Sequence, residues 1–206
     1  MGIGFVILAH LIIIFILSVI IAGMGAAIAS VASKSENKKR NIILSVISPF
    51  IGLYTLYFCL IFGAVAVGAY TNTDIGIGDS WSVSMSTNCQ LIFIDIPENG
   101  FLECDGKDIA FGVSEIAQDN NYIYGRTGNA NYFLYNKRTK ELKDYTKDDF
   151  EKEFAVKIKL SDANDFYFEQ RAHLTGILPG VMAIASLLIS IIVVYITIRI
   201  GIKLSK

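Results

Sequence analysis

The chain opens with the apolar run GIGFVILAHLIIIFILSVIIAGMGAAIASVAS (residues 2–33), which contains no charged residue. A helix needs roughly 20 apolar residues to cross a bilayer, so this run is long enough to span a membrane. Two further charge-free runs follow later in the chain, and 53% of the 206 residues are hydrophobic. We therefore predict three transmembrane helices, at residues 1–33, 41–73 and 172–198.

A polar block, residues 74–171, separates the second run from the third. It carries 11 Lys and Arg against 18 Asp and Glu, a net charge of −7, whereas the rest of the chain carries 7 basic residues and one acid. This split is typical of a membrane protein with one acidic, solvated domain. No soluble part is basic enough to predict nucleic-acid binding.

Basic residues predict the orientation of the helices. The segment KSENKKR (34–40) lies between the first two runs, and the tail 199–206 is also basic. The basic residues of the loop are Lys34, Lys38, Lys39 and Arg40. Short segments rich in Lys and Arg stay on the cytoplasmic side of the membrane. We therefore expect the loop and the tail to be cytoplasmic and the polar block to be extracytoplasmic.

Small residues recur four apart in the apolar runs. Such spacing places them on one helix face, where two helix backbones can approach closely in lipid. The pairs are Gly23/Ala27, Gly25/Ala29 and Gly176/Gly180. They predict either packing among the protein's own helices, or self-association and contact with a partner subunit.

The polar block has the pattern of a small β-rich domain. Residues 81–85 (WSVSM) alternate between apolar and small polar types, which is typical of a half-exposed strand. Further strands are predicted at Gln90–Ile96, Phe101–Cys104, Ile109–Ala117 and Val156–Leu160, with a turn at Pro97–Gly100. The order of strands, helix and strand predicts an α+β, mainly antiparallel β domain inserted between transmembrane helices 2 and 3.

Four tyrosines flank a loop rich in Gly and Asn, GRTGNAN (125–131), and predict a β-hairpin. They are Tyr122, Tyr124, Tyr132 and Tyr135. Most of this hairpin is expected in the core. Alternate tyrosines are nevertheless candidates for an interaction face, because the ring is apolar and the hydroxyl is polar.

A helix is predicted after Thr146, whose hydroxyl can accept a hydrogen bond from the amide of Asp149. Phe150 and Phe154 are four residues apart on this helix and are expected to face the sheet. The aromatic run 166–168 (FYF) precedes the third apolar run, a position that favours the membrane–water interface.

Two of the three cysteines, Cys89 and Cys104, lie in the polar block on neighbouring predicted strands. A disulfide persists in an oxidising compartment, so the predicted topology favours a bond between them; two reduced, partly buried thiols are the alternative. Closing this interval is worth roughly 3 kcal/mol on the chain-entropy model. Cys59 lies in an apolar run, and the cysteines lack the further ligands that a metal site needs.

Groups able to carry catalysis are few. The only histidines are His10, inside the first run, and His173, at the mouth of the third. A proton relay at His10 is one hypothesis, because polar groups inside a membrane are often functional. The apolar runs carry no Asp, Glu or Lys, which disfavours a stand-alone transporter, and no phosphate-binding loop or nucleophile motif occurs. We expect no cofactor and no enzymatic activity.

Two segments carry a resemblance: VSEIAQDNNYIYGRT (113–127) and NYFLYNKRTKELKDYTKDDFEKEF (131–154). Together they resemble a pattern in small exported bacterial domains of unknown function. The resemblance implies a compact single-sheet domain in a bacterial envelope and brings no catalytic residues. It does not extend to the three apolar runs.

These observations favour a non-enzymatic, multi-pass protein of the bacterial inner (plasma) membrane. Its external domain is expected to contact a membrane or envelope protein, as an accessory subunit, an immunity or exclusion protein, or a sensor. An oligomeric membrane permeabiliser or channel subunit is the first alternative. An enzyme at the outer leaflet that uses His10 or His173 is the second.

Overall fold

Three long apolar helices flank a β-rich region, which confirms the predicted fold class. The computed structural model describes residues 2–154 and 158–204, without the side chains of Asn99 and Leu204. The helices are α1 (Ile3–Ala32), α2 (Lys38–Thr71), α3 (Lys147–Phe154), α4 (Ala163–Thr175) and α5 (Leu178–Leu204), with a 3-10 turn at Ser35–Asn37. By length and composition, α1, α2 and α5 are each able to cross a membrane.

The chain divides into two compact units. The β unit is Val67–Gly176, and the helical unit comprises the described residues on either side of it. Within the helical unit, small side chains permit close helix approach. Gly25 of α1 lies against Ser45 of α2, and the Ser190 hydroxyl of α5 donates a 2.7 Å hydrogen bond to the carbonyl of Gly52 in α2.

The β unit contains two antiparallel sheets. Sheet A has the order β1-β2-β3-β4, and sheet B has the order β8-β7-β6-β5-β9. The strands of sheet A are β1 (Ser80–Ser86), β2 (Cys89–Ile94), β3 (Ile96–Cys104) and β4 (Lys107–Phe111). Those of sheet B are β5 (Val113–Gln118), β6 (Tyr122–Thr127), β7 (Tyr132–Asn136), β8 (Leu142–Tyr145) and β9 (Ser161–Asp162). The predicted strand at 156–160 includes residues outside the described ranges, as does the end of the predicted tail 199–206.

The single strand predicted at Ile109–Ala117 is wrong, because the chain bends at Gly112. Gly112 has φ 63°, a left-handed conformation that costs other residues free energy. Its carbonyl accepts a 2.8 Å hydrogen bond from the amide of Gly128. The bend ends β4 in sheet A and starts β5 in sheet B, so the single sheet implied by the resemblance is also wrong.

The turn predicted at Pro97–Gly100 is a bulge within β3. The reversal occurs earlier, at Asp95 (φ 64°), where Ile94 pairs directly with Ile96. An Asp tolerates the left-handed conformation better than most residues. Ile92 pairs with Phe101, so residues 97–100 lie outside the regular pairing, where Pro and Gly are tolerated.

The core lies between the inner faces of the two sheets and α4. Fully buried side chains come from both sheets: Val83, Leu91, Phe93, Leu102, Val113, Ile116 and Ile123. The aromatic run 166–168, predicted at the membrane interface, is part of α4, and Tyr167 is buried in this core. Because α4 continues to Thr175 and ends at Gly176, His173 lies in its last turn.

The opposite face of sheet B is covered by α3, as the sequence predicted. Phe150 is buried, and its ring lies 4.8 Å from that of Tyr132 and 5.1 Å from that of Phe154. The amide of Asp149 donates to the Thr146 hydroxyl at 3.3 Å. The cap and the packing face of the predicted helix are therefore confirmed.

We predict that Gly112→Ala destabilises the β unit by about 1–2 kcal/mol, because alanine must adopt the left-handed conformation there. No neighbouring atom lies within 4 Å of the added Cβ, so the strain is conformational. Trp81, the one tryptophan of the chain, stacks on Phe93 in this unit, so its fluorescence reports thermal unfolding of the full-length protein.

The matched control is Gly128→Ala. Its Cβ would meet only the Gly112 carbonyl oxygen, at 3.9 Å, and Gly128 is not in the left-handed region. We expect its midpoint to stay near that of the wild type. Equal midpoints for the two variants would contradict the role of Gly112.

Candidate interaction surface

Sheet A carries exposed apolar side chains on the side that faces away from the core. Ile92 pairs with Phe101, which pairs with Phe111, so the three form one row across β2, β3 and β4. The rings of Phe101 and Phe111 stack at 6.1 Å, and Phe111 is 67% exposed. We call this set the apolar face; it consists of the exposed Ile94, Ile96 and Phe111 and the half-buried Ile92 and Phe101.

Alternation along the strands positions this face. Successive side chains of a strand point to opposite sides of a sheet, so β2 buries Leu91 and Phe93 and turns Ile92 and Ile94 outward. Phe93 stacks on Trp81 at 5.4 Å inside the core. The apolar face is therefore the outer surface of a well-packed sheet.

The predicted disulfide is confirmed and joins β2 to β3 directly behind this face. Cys89 and Cys104 are paired residues on the two strands, with Cα atoms 4.1 Å apart, and both side chains are buried. The bond restricts sliding of β2 against β3. It therefore stabilises the register that aligns Ile92 with Phe101.

Acidic residues surround the apolar face. Glu103 follows Phe101 by two positions on β3 and pairs with Asp108 of β4. Asp95 and Glu98, both exposed, lie at the opposite end of the strands, beside Ile94 and Ile96. The surface thus combines an apolar centre with an acidic rim, an arrangement found in protein interfaces.

A carboxylate fastens the start of the β unit to its end. Oδ1 of Asp74 accepts a 2.8 Å hydrogen bond from the Tyr167 hydroxyl, and Oδ2 accepts one of 2.8 Å from the amide of Gly76. Nε of Arg171 forms an ion-pair contact with Oδ1 at 3.3 Å. Burial, the hydrogen bond to Asp74 and the negative charge of Asp74 together raise the pKa of Tyr167. We call Asp74, Tyr167 and Arg171 the Asp74 clamp.

A cleft of about 450 Å³ lies beside the Asp74 clamp. Its walls include Trp81, Pro97 and the 59%-exposed Phe168. Ser80 also lines the cleft and pairs with Ile94, so the cleft borders the apolar face.

Lys137 is a titratable group with a shifted pKa, and its side chain holds backbone in place. Lys137 Nζ donates to the Met85 carbonyl of sheet A at 3.3 Å, and to Gln118 Oε1 and the Asp119 carbonyl at 2.8 Å each. Burial lowers the pKa of Lys137, although the charge of Asp119 opposes the shift. Lys137 therefore links the two sheets.

Asp119 forms the turn between β5 and β6. Burial disfavours its charged form, but hydrogen bonds from the amides of Asn121 and Tyr122 and the hydroxyl of Tyr124, with the charge of Lys137, lower its pKa. Burial and the bond to Asp119 raise the pKa of Tyr124. Burial raises the pKa of Tyr124 most, and the hydrogen bonds that hold this turn account for the lowered pKa of Asp119.

The tyrosine hairpin is present as β6 and β7, but it does not form an exposed face. Tyr124, Tyr132 and Tyr135 are 5%, 8% and 2% exposed, and Tyr122 is half-buried. α3 covers one side of the hairpin, and the core covers the other. A methyl group on Gly125 would overlap the ring of Phe133, so the inner side is closely packed. These tyrosines belong to the core rather than to an interaction surface.

The small-residue pairs have different environments. Ala29 is buried, and Gly25 contacts α2. Gly23, Ala27 and Gly180 are exposed within the helical unit, and Gly176 terminates α4 with φ 52°. The structure therefore assigns helix packing to the Gly25/Ala29 pair. Because Gly176 lies between α4 and α5, the prediction that Gly176 and Gly180 share one helix face is wrong. Self-association through Gly23/Ala27 stays a prediction.

The two histidines are placed in different units. Nδ1 of His10 lies 3.4 Å from the Tyr57 hydroxyl oxygen in the helical unit, whereas His173 is exposed on α4 of the β unit. Among the described residues, no group of three or more His, Cys, Asp or Glu side chains is arranged to hold a metal ion. The basic residues of the predicted loop fall at Lys34 and in the first turn of α2, Lys38–Arg40.

Comparisons of the chain with protein-family models, curated protein sequences and solved structures found no match.

The sequence did contain a signal for the apolar face. Residues 91–94 (LIFI) are apolar at every position, although one side of a half-exposed strand is expected to be polar. The pattern was compatible with a strand buried on both sides. Only the position of β2 in a sheet covered on one side places Ile92 and Ile94 on the side away from the core.

We predict that Tyr167→Phe lowers the free energy of unfolding of the β unit by about 1.5–3 kcal/mol, because it removes a hydrogen bond to a charged partner. Thermal unfolding of the full-length protein, followed by Trp81 fluorescence, measures this effect.

Tyr122→Phe is the matched control, since no hydrogen bond of the Tyr122 hydroxyl occurs among the described residues and the ring is half-buried. We expect a change below about 0.5 kcal/mol. A Tyr167→Phe variant as stable as this control would show that the Asp74 clamp does not hold the unit together.

Proposed function

We propose that this chain is a multi-pass protein of a bacterial inner membrane that holds its β unit outside the cytoplasm and binds another envelope protein. The binding surface is the apolar face of sheet A. The role is non-enzymatic, as an accessory subunit, an immunity or exclusion protein, or a sensor.

The apolar face carries this proposal. A contiguous exposed apolar patch on a soluble domain often marks an interaction site, whereas single exposed apolar residues do not. Here the patch consists of large side chains that a paired, disulfide-linked sheet holds in place. A preorganised surface binds without a large cost in ordering its side chains.

The acidic rim indicates the chemistry of the partner. An apolar surface surrounded by Asp95, Glu98, Glu103 and Asp108 is complementary to an apolar patch with Lys or Arg at its edges. The net charge of residues 74–171 is −7, so the whole unit is negative, like the rim. Such a partner is attracted by the whole unit and fixed by the apolar contacts.

The proposed location rests on three observations. α1, α2 and α5 are candidate membrane spans. The segments 34–40 and 199–206 are basic, which favours the cytoplasmic side. The Cys89–Cys104 disulfide is consistent with an oxidising compartment for the β unit.

The non-enzymatic role is supported by how the titratable groups of the β unit are used. Catalytic groups commonly combine a shifted pKa with access to substrate. Asp119, Tyr124, Lys137 and Tyr167 have shifted pKa values, yet each is engaged in hydrogen bonds that hold strands, turns or α4 in place.

Site-specific photo-cross-linking in intact cells tests the proposal. A photoreactive phenylalanine analogue replaces Phe111 or Ile94 on the apolar face, or Leu142 as the control. Leu142 is also an exposed apolar strand residue, 43% accessible, but it lies on sheet B. We expect one discrete cross-linked product from positions 111 and 94 and none from 142.

The product must depend on the apolar face itself. Ile94→Asp is expected to reduce cross-linking from position 111 about tenfold or more, because it places a charge within the apolar face. Identical products from all three positions would contradict the assignment of the surface. A strictly monomeric native protein with a measurable turnover would overturn the proposed role.

A further inference from the structure

Ring-bearing side chains form much of the wall of the cleft beside the Asp74 clamp. They are Trp81, Pro97 and Phe168, and the residues that line the cleft all belong to the β unit. Trp81 is fixed by its stacking on Phe93, whereas Phe168 is 59% exposed. Small-ligand sites have volumes of about 300–1,000 Å³. The cleft, at about 450 Å³, therefore has room for one or two residues of a peptide rather than for a folded domain.

The charges that line the cleft compensate each other. Among the described lining residues, Asp74 and Arg171 are charged, and Nε of Arg171 lies 3.3 Å from Oδ1 of Asp74. Both carboxylate oxygens also accept a hydrogen bond, Oδ1 from the Tyr167 hydroxyl and Oδ2 from the amide of Gly76. An anion in the cleft would be repelled by Asp74, and a cation by Arg171. The cleft therefore suits an uncharged group.

The hydrogen-bonding groups of the cleft wall include donors that lack acceptors. Nε1 of Trp81 and Nε of Arg171 are buried without a hydrogen-bond acceptor, since the contact of Arg171 with Asp74 does not have hydrogen-bond geometry. The terminal nitrogens of Arg171 make no hydrogen bond within the described part of the chain. Nη2 lies against Gly76, where a Cβ would be only 2.9 Å away. Because a donor without an acceptor costs free energy, the cleft favours a ligand that brings acceptor oxygens and no further donors.

We propose that the cleft binds a proline in an extended segment of the envelope protein that the β unit contacts. The proline ring packs on Trp81 and Phe168. The carbonyl oxygen of the preceding residue accepts a hydrogen bond from the terminal nitrogens of Arg171. This inference names a feature of the partner and rests on the proposed function of the β unit.

The chemistry of an X–Pro bond matches the three properties of the cleft. Its amide is uncharged and has a carbonyl acceptor but no N–H donor. Its ring is apolar, and aromatic-lined grooves bind proline-rich segments whose extended conformation forms before binding. A saccharide matches less well, because each of its hydroxyl groups brings a donor, and the carboxylate of the cleft already has partners at both oxygens.

Peptide titrations of the full-length protein in neutral detergent micelles test the site. Trp81 is the one tryptophan of the chain and lines the cleft, so its fluorescence reports binding. The probes are hexaproline, hexasarcosine and hexaglycine, each capped at both ends and therefore uncharged. Sarcosine keeps the tertiary amide without the ring, whereas glycine lacks the ring and restores the N–H.

We expect hexaproline to give a saturable change in Trp81 fluorescence. Hexasarcosine is expected to bind about tenfold more weakly, because it lacks two methylene groups of each ring. Hexaglycine is expected to give no saturable change at the concentrations that saturate with hexaproline.

Phe168→Ala is expected to weaken the binding of hexaproline at least tenfold, because it removes one aromatic wall of the cleft. Leu142→Ala is the matched control, since Leu142 is an exposed apolar side chain of the β unit that does not line the cleft. We expect its affinity to stay within about twofold of the wild type. The thermal midpoint of each variant shows that the β unit is folded.

Three results would overturn the site: no saturable change with hexaproline, equal affinities for hexaproline and hexaglycine, or equal affinities of the wild type and Phe168→Ala. An uncharged N-acetylglucosamine trimer that binds more tightly than hexaproline would assign the cleft to saccharides instead. Failure of this inference and of the proposed function are distinguishable. Loss of peptide binding with the cross-link from position 111 intact removes the cleft site alone, whereas the reverse result removes the apolar face as the binding surface.

Discussion

The β unit depends on one carboxylate that joins its two ends. Asp74 lies three residues after the end of α2, and it bonds Tyr167 and contacts Arg171 on α4, the last helix before α5. An inserted domain whose ends meet can fold as one body between two helices of its host. The Asp74 clamp also places Tyr167 in the core, where its ring lies 6.0 Å from that of Phe93. Through Phe93, the contact reaches β2, the strand that carries Ile92 and Ile94 of the apolar face.

The apolar face is costly to expose, and two of its three strands are covalently linked. β2 and β3 are joined by a disulfide, and the inner side of β2 is fully buried. Large apolar side chains on a rigid sheet lose little conformational freedom on binding, so a greater share of their burial contributes to affinity. In the proposed function the acidic rim adds selectivity, because it repels an acidic competitor that offers a similar apolar patch.

Local rules predicted much of this structure from the sequence. The three apolar helices, the Thr146 cap, the β6–β7 hairpin and the Cys89–Cys104 bond each depend on residues close in sequence or on simple spacing. The division into two sheets was missed, because a glycine within a β-like run does not reveal its φ angle, and Gly112 decides where the chain turns. The burial of Tyr167 in the core was not predicted, because aromatic residues that precede an apolar run occur both at membrane interfaces and in protein cores.

The thiol state of the protein in living cells tests the central claim, a disulfide-linked β unit outside the cytoplasm, most directly. Cells are quenched with acid, and thiols of the denatured protein are alkylated with a mass-tagged maleimide before and after reduction. The account predicts one alkylated cysteine, Cys59, without reduction and three after it. Three alkylated cysteines without reduction would contradict the account, because Cys89 and Cys104 would then be reduced in the cell.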